Sequence, residues 1–304
     1  MTVEVSSFQC VRARASAFCI EREWTTFHTP VNLALALSGE CGEISEIFQW
    51  KGPLEEGIDN FSSDEIVHIG EEISDVFIYS TRLCDMCGID LAYSVRHCAA
   101  MTHSLQYSTM NPSDIFVKEC SSSSTSTSIN PKNSDDVWDT LTFTELDNII
   151  PKEILEIKSP RAIALSIQSR CGRICELFVN KTEYQSFNGL PGWPKSEVAE
   201  LALIIGTICI LLSTLARISN ITLNKCLSDK ISKNEAKYPV EMVKGSSAKY
   251  TVYADSIKKL KMKKSDKNNS DFSRKNVVVA VLTLFLSVGV GYMLGGRGGR
   301  GKLF

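Results

Sequence analysis

The stretch of sequence that decides the fold is Leu33-Ala-Leu-Ala-Leu-Ser-Gly-Glu-Cys-Gly-Glu-Ile-Ser-Glu-Ile-Phe48. Its apolar side chains recur at spacings of three and four residues, which is the pattern of an α-helix with one buried face. Residues 73–83 repeat this spacing, and the chain holds no convincing run in which apolar and polar residues alternate. We therefore predict an all-α fold.

Part of this stretch occurs twice in the chain. Gly39-Glu-Cys-Gly-Glu-Ile-Ser-Glu-Ile-Phe48 aligns with Ser169-Arg-Cys-Gly-Arg-Ile-Cys-Glu-Leu-Phe178 at an offset of 130 residues. Farther along, residues 88–91 align with residues 220–223 at an offset of 132. Similarity at a nearly constant offset is typical of repeated units. We predict two helical-bundle units packed against each other as an intrachain pseudo-dimer.

The composition is that of an ordinary globular protein, with 43% apolar and 22% charged residues among 304. The net charge of −2 gives no global reason to expect nucleic acid as a partner. The eleven cysteines lie mostly in apolar stretches and are not spaced like a disulfide framework. We interpret them as reduced, mostly buried thiols of a protein facing the cytosol. Cys84 and Cys87 have zinc or redox spacing, but no second pair accompanies them, so packing is the preferred interpretation.

Changes in composition divide the chain into six segments. The Ser/Thr-rich tract at 121–128 cannot bury enough apolar surface to fold, so it indicates a linker. We expect a short helix around residues 136–146. The predicted segments are a first unit at 1–107, the linker at 108–150, a second unit at 151–250, a basic juxtamembrane segment at 251–275, a transmembrane anchor at 276–295 and a short basic tail at 296–304.

The last sixty residues differ in kind from the rest of the chain. Residues 277–294 carry no charge, and a helix of this length spans about 27 Å, enough to cross a hydrocarbon core. Lys and Arg crowd residues 258–275 just before it, a position that favours attraction to anionic lipid over nucleic acid. We predict a C-terminal membrane anchor with both units on the cytosolic side, in an organelle that the sequence does not specify. A buried globular helix is the alternative.

Two acidic pairs are the strongest functional signal in the first unit. Glu40 and Glu43 are three residues apart and share one helix face, and Glu72 and Asp75 do the same on a second helix. Two such faces packed together repel each other unless cations lie between them, and oxygen ligands of this kind suit Mg²⁺. Solvated acidic faces are the alternative, but apolar residues flank both pairs closely.

Around these pairs the sequence resembles a known family, the dCTP pyrophosphatase branch of the MazG-like all-α NTP pyrophosphatases. The family signature is ExxE, a spacer and ExxD, and the resemblance runs through residues 8–107. It is carried by Phe18-Cys-Ile-Glu-Arg-Glu-Trp24, Phe27-His-Thr-Pro30, Asn32-Leu33, Gly39-Glu-Cys-Gly-Glu43, Glu46-Ile-Phe-Gln-Trp50 and Glu71-Glu-Ile-Ser-Asp-Val76.

The resemblance implies both a site and a reaction. It implies that the four paired carboxylates hold Mg²⁺, with Mn²⁺ as a substitute, while water attacks the α-phosphorus of a deoxynucleoside triphosphate. Glu46 or Glu71 would orient or deprotonate that water. Trp24 and Trp50 would line the nucleobase pocket, with His28 close to it. Taken alone, the two tryptophans would be interpreted as ordinary core residues.

A second motif of the family, KxxxNxx[KR]YP, is missing from the first unit and intact in the second, as Lys230-Ile-Ser-Lys-Asn-Glu-Ala-Lys-Tyr-Pro239. In the second unit the metal positions are instead Arg170, Arg173, Ile204 and Thr207. These two Arg residues either neutralise a former metal site or lie on the surface. Our hypothesis is one composite site, with metal from the first unit and phosphate contacts from the second. Lys230 and Lys237 would balance the triphosphate charge and Asn234 would fix its orientation, with Tyr238 as a further substrate-binding residue. The alternative is a second unit that is only structural.

The sequence therefore favours a Mg²⁺-dependent pyrophosphatase that acts on dCTP or a modified dCTP in sanitation of the nucleotide pool. The alternative from another class is a catalytically inactive, membrane-anchored nucleotide-binding or scaffold protein. A homodimer would give a tetramer-like assembly of four units.

Overall fold

The computed structural model describes residues 4–51, 58–103 and 139–246. Within these ranges the regular elements are helices, and the β-type pairing is one isolated antiparallel bridge between Ser7 and Thr142. The prediction of an all-α fold is confirmed. The Ser/Thr-rich tract, the basic segment and the predicted anchor at 276–295 lie outside the described residues.

Ten α-helices and two short 3₁₀ turns make up the described part of the chain. The α-helices are α1 (Phe8–Glu21), α2 (Pro30–Gln49), α3 (Ser63–Cys87), α4 (Leu91–His103), α5 (Phe143–Ile149), α6 (Lys152–Leu155), α7 (Pro160–Val179), α8 (Lys195–Ile218), α9 (Leu223–Lys237) and α10 (Val240–Val243). The 3₁₀ turns are Trp24–Thr26 and Tyr184–Ser186.

Local sequence explains where the principal helices begin and end. The Thr29 side chain accepts a hydrogen bond from the backbone of Asn32, and proline occupies the first position of α2. Helix α7 begins in the same way, with a serine cap followed by proline. A capping box between Ser62 and Glu65 starts α3, and Gly88 ends it in a left-handed conformation with φ of 72°.

Helices α2 and α7 pack antiparallel through equivalent positions of the sequence repeat. The fully buried thiols of Cys41 and Cys171, which are 130 residues apart, lie close enough to perturb each other's pKa. On one side of this pair the Ser45 hydroxyl lies 3.5 Å from the Gln168 side-chain oxygen. On the other side, the Ser38 side chain lies close to Cys175 and lowers the pKa of its thiol.

These two flanking contacts exchange when every residue is replaced by its repeat equivalent, because Gln168 corresponds to Ser38 and Cys175 to Ser45. Reciprocal contacts of this kind are what a two-fold interface between like surfaces produces. Residues at the start of α1 and residues at the start of α5 make a similar reciprocal pair, formed by two backbone hydrogen bonds. The N–H of Phe8 donates to the carbonyl of Leu141 at 2.9 Å, and that of Phe143 donates to Ser6 at 3.2 Å.

The longer helices cross between the two halves of the sequence. Helix α3 contacts α9. Helix α8, which is the repeat equivalent of α3, contacts α4 in the same way. The second crossing is tight at Gly206, where an added Cβ atom would lie 3.0 Å from the backbone of Ser94. All described residues accordingly belong to one compact unit.

The end of the predicted linker is part of this unit. Residues 139–150 were assigned to the linker, but Leu141 and Leu146 are fully buried and α5 begins with a capping box. Phe143 stacks on Phe8 with ring centroids 5.5 Å apart. Residues 139–150 therefore complete the core beside α1, and α5 overlaps the short helix expected around residues 136–146 within the predicted linker.

Helix α8 is the one helix in the described ranges that is long and apolar enough to cross a membrane. In the most apolar 18-residue stretch of α8, 78% is buried against the rest of the protein. Burial of this extent is also what the core helix of a soluble protein shows, so α8 is weak evidence for a membrane span.

Candidate active site

Three of the four predicted metal ligands converge between α2 and α3. One carboxylate oxygen from each of Glu40, Glu43 and Glu72 lies within 4.8 Å of the others. The i, i+3 spacing on α2 directs the first two toward α3, whose buried face supplies Glu72. The predicted convergence of the two acidic helices is present for these three residues.

The electrostatics of this cluster favour a bound cation. Burial, followed by the charges of Asp75, Glu43 and Glu72, raises the pKa of Glu40 to about 8. Burial is also the largest cause that raises the pKa of Glu72, to about 7. The Oε2 atom of Glu72 is buried without a hydrogen-bond partner in the described residues. A divalent cation with oxygen ligands fits both the charge excess and this open carboxylate oxygen.

Asp75, the fourth predicted ligand, has a different partner. Its carboxylate forms an ion pair with Lys230 on α9, and both side chains are mostly buried. Burial raises the pKa of Asp75, and the charge of Lys230 is the largest opposing influence. The first half of the chain thus contacts the second half at the predicted metal site.

A solvent-open cavity of about 150 Å³ adjoins this ion pair. It collects predicted residues from both halves of the chain. From the first half these are Trp24, His28, Glu40 and Asp75, and from the second half Lys230, Asn234, Lys237 and Tyr238.

The segment after α9 contacts the turn after α1 beside the cavity. The indole N–H of Trp24 donates to the carbonyl of Val243 at 3.2 Å, and its ring meets Tyr238 edge-on with centroids 5.3 Å apart. The Nε of Arg22 donates to the carbonyl of Tyr238 at 2.8 Å. Trp24 and Tyr238 therefore form an aromatic wall from the two halves.

His28 lies beside this wall. Burial, with a smaller contribution from the positive charge of Arg82, lowers the pKa of His28 to about 4. Its Nδ1 is 3.5 Å from the sulfur of Cys19. At neutral pH the imidazole is uncharged, which suits a position next to a flat, neutral ring.

Five predicted site residues do not line the cavity, namely Glu43 and Glu72 of the acidic cluster together with Glu46, Trp50 and Glu71. Trp50 ends α2, is 87% exposed and does not line the cavity with Trp24. Glu46 is exposed and lines a separate shallow recess with Lys51 and Glu65. Glu71 pairs instead with Lys233, 2.5 Å away on α9.

Sequence reasoning missed two cavity residues, Tyr79 and Arg82. They follow Asp75 on α3 at spacings of four and seven, which place all three on one helix face. The spacing was the available signal. Burial, together with Glu40 and Asp75, raises the pKa of Tyr79, so this hydroxyl remains protonated.

Of the two arginines that replace acidic residues in the second half, Arg173 is neutralised locally. Arg173 pairs with Glu176 at 2.8 Å and Glu200 at 2.6 Å, all within the second half. Arg170 donates to the carbonyl of Ser166 one turn earlier. Of the two interpretations of these arginines, the second fits Arg173, which is a surface residue paired with nearby carboxylates.

Fold and site together define a helical protein with an acidic, cation-suited cluster beside a cavity that also contains lysine and aromatic side chains. The chain is 45% identical to dCTP pyrophosphatase 1 of Homo sapiens over 85 residues, which are 28% of this chain and 50% of the human protein. The proteins of that name from Rattus norvegicus and Bos taurus are each 44% identical over 85 residues, with the same coverage. The chain spans about half the length of these relatives. No family model and no solved structure matches it.

Proposed function

We propose that this protein is a Mg²⁺-dependent nucleotide pyrophosphatase that hydrolyses dCTP, or a related modified deoxynucleoside triphosphate, to the monophosphate and pyrophosphate. The observation that carries the proposal is the single cavity lined by Glu40 and Asp75 together with Lys230, Asn234 and Lys237. Acidic groups suited to a cation and basic groups suited to phosphate meet there. The similarity to dCTP pyrophosphatase 1 supports the same class of reaction.

Glu40, Glu43 and Glu72 would hold the metal ion, with Asp75 as the fourth predicted ligand and Mn²⁺ as a substitute metal. When bound, the ion supplies Lewis-acid polarisation of the phosphoryl oxygens. Lys230 is held beside these carboxylates by its ion pair with Asp75, where its charge can offset that of a triphosphate.

The other cavity residues orient the substrate. Lys237 adds a second positive charge, and Asn234 has an amide that can fix one phosphate by hydrogen bonding. The faces of Trp24 and Tyr238, with neutral His28 beside them, suit a nucleobase.

In the proposed reaction the oxygen of water bonds to the α-phosphorus. The bond from this phosphorus to the oxygen shared with the β-phosphate breaks, and pyrophosphate leaves. The proton of the attacking water passes to a carboxylate, for which Glu46 and Glu71 remain the proposed candidates. Of these two, Glu71 lies on the side of α3 that faces α9, through its pair with Lys233.

The composite site follows if the chain is a fused tandem duplication, which we also propose. The reciprocal contacts around Cys41 and Cys171 support a pseudo-two-fold relation between the halves. The metal-binding role is then retained by the first unit and the phosphate-binding role by the second. A homodimer of this chain would contain four units.

The membrane anchor at 276–295 remains a proposal based on sequence. Anchoring there would leave residues 1–250 on the cytosolic side, with the basic segment 251–275 next to anionic lipid. Cell fractionation of the full chain and of a variant ending at residue 255 tests it. Recovery of both proteins in the soluble fraction would contradict the anchor.

A second candidate function is a catalytically inactive nucleotide-binding or scaffold protein. The loss of acidic positions at Arg170 and Arg173 favours it, because only one half retains a possible metal site. Pyrophosphate release from a panel of deoxynucleoside triphosphates, with Mg²⁺ and full-length protein, separates the two functions. Release by the wild type and not by Glu43→Gln supports the enzyme, whereas no metal-dependent release from any triphosphate supports the scaffold.

A further inference from the structure

Cys19 and His28 form a hydrogen-bonded pair in the wall of the cavity. Both residues line the cavity, and the sulfur of Cys19 lies 3.5 Å from Nδ1 of His28. Cys19 comes from α1, whereas His28 lies in the segment just before α2. Only 3% of Cys19 is exposed, while His28 is half-buried. A ligand in the cavity therefore reaches the imidazole more readily than the thiol.

The thiol is the donor of this pair. Burial is the largest cause that raises the pKa of Cys19, so the sulfur keeps its hydrogen at neutral pH. Burial also lowers the pKa of His28 to about 4, and a neutral imidazole has one donor nitrogen and one acceptor nitrogen. Because an imidazole nitrogen is a stronger acceptor than a thiol sulfur, the S–H group donates to Nδ1.

Arg82 reinforces this direction. After burial, its positive charge is the next influence on the pKa of both Cys19 and His28, so the guanidinium lies close to the pair. A guanidinium has donors and no acceptor, so the sulfur lone pairs turn toward it and the thiol hydrogen turns toward His28. Since the bond at one ring nitrogen sets the state of the other, the imidazole hydrogen belongs on Nε2.

The Nε2 atom is open to a ligand. Within the described residues, the hydrogen bond of the His28 ring is the one at Nδ1. Nε2 does not belong to the buried polar atoms that lack a partner, and the ring lines a solvent-open cavity. The neighbouring Trp24 ring has its indole N–H engaged by the carbonyl of Val243, so it does not compete as a donor.

We infer that Cys19 is a positioning residue, whose thiol holds His28 with its hydrogen on Nε2, as an uncharged donor to an acceptor atom of the bound deoxynucleotide. This inference rests on the proposed function, since it takes a deoxynucleotide as the ligand. The lysines of α9 suit phosphate because they are charged, whereas a neutral donor suits an acceptor on the sugar or the base. Cys19 acts through His28 and strengthens binding of this uncharged part.

The state of the His28 ring is read by NMR of full-length protein labelled with ¹⁵N-histidine, without nucleotide. The chain has four histidines, and loss of one signal in His28→Gln identifies this residue. We expect a single form in the wild type, with hydrogen on Nε2, and the same form in Cys19→Ser, which keeps a donor. Cys19→Val keeps the volume without the donor and should show a mixture of both ring forms.

Equilibrium binding in Mg²⁺ tests what this donor does. Cys19→Val should weaken binding of the α,β-imido analogue of dCTP by about threefold to tenfold, and Cys19→Ser by less than about twofold. Inorganic imidotriphosphate, which has neither sugar nor base, should bind with wild-type affinity. A base-free analogue that keeps the deoxyribose separates the two sources of the acceptor, because Cys19→Val weakens its binding only if the acceptor is on the sugar.

Cys209→Ala is the matched control, since this buried cysteine of α8 does not line the cavity, and it should match the wild type in both measurements. Hydrogen on Nδ1 in the wild type, an unchanged ring in Cys19→Val, or equal weakening of the dCTP analogue and imidotriphosphate would overturn the inference. If Cys19→Val does not unfold cooperatively, Cys19→Ala replaces it with the same expected results. A wild type with hydrogen on Nε2 that binds no nucleotide would instead overturn the proposed function, and with it the ligand assigned to His28.

Discussion

Lys230 and Asp75 are 155 positions apart in the sequence and form an ion pair with both side chains mostly buried. A lysine from the second half of the chain therefore neutralises a carboxylate that the sequence assigns to metal binding. Nearby Lys233 also pairs with an acidic residue of α3, but is itself well exposed. The two lysines differ in burial and thereby provide a matched comparison.

Lys230→Ala should lower kcat/KM for dCTP by about tenfold to a hundredfold, because it removes a charged partner of phosphate and leaves Asp75 without its cation. Lys233→Ala should change kcat/KM by less than about threefold, since exposed pairs contribute little. Pyrophosphate release by full-length protein measures both. A wild-type rate in Lys230→Ala would end the composite-site proposal.

Mg²⁺ should stabilise the wild type and should fail to stabilise Glu43→Gln. A ligand that binds the folded state raises the free energy of unfolding. The substitution replaces one negatively charged carboxylate of the cluster by a neutral amide and so weakens metal binding. Thermal melting across a Mg²⁺ titration measures this effect, with Glu200→Gln in the second half as control. An equal rise of Tm in wild type and Glu43→Gln would place the metal elsewhere.

Without metal, the protein should lose stability as pH rises from about 5 to about 8. The pKa values of Glu40 and Glu72 are raised to about 8 and about 7, so the folded state holds more protons than the unfolded state in this range. Urea unfolding in EDTA at several pH values tests this. Glu40→Gln should flatten the dependence, and rising stability over the same range would contradict it.

Gly206→Ala should destabilise the fold by about 1–3 kcal/mol, because its Cβ would lie 3.0 Å from the backbone of Ser94 where α4 crosses α8. Gly172→Ala is the control, since no atom lies within 4 Å of its Cβ position on α7. That substitution should stabilise by about 0.5–1 kcal/mol through helix propensity. Chemical denaturation measures both, and similar effects at the two positions would contradict the packing argument.

Helical spacing was sufficient to predict the acidic cluster, since i, i+3 pairs fix which face two carboxylates share. Lys230 and Asn234 were predicted from the resemblance to the family motif instead, and their spacing of four on α9 places them on one helix face.

Other predictions did not rest on periodicity. The prediction for Trp50 came from the resemblance alone, and Trp50 is the residue at which α2 terminates, so the helical period does not set the direction of its side chain. Leu141 and Phe143 follow a polar tract that hid their apolar character within the predicted linker. Arg82 was missed although its spacing of seven from Asp75 places both residues on one face of α3.

The thiol contact between Cys41 and Cys171 joins two surfaces of one polypeptide. Their association is unimolecular, so dilution does not separate them as it would separate two free protomers. A substitution in a homodimer alters both copies of a surface at once. In this chain the two surfaces are encoded by separate positions of one gene. A substitution can therefore change one surface while the other stays the same.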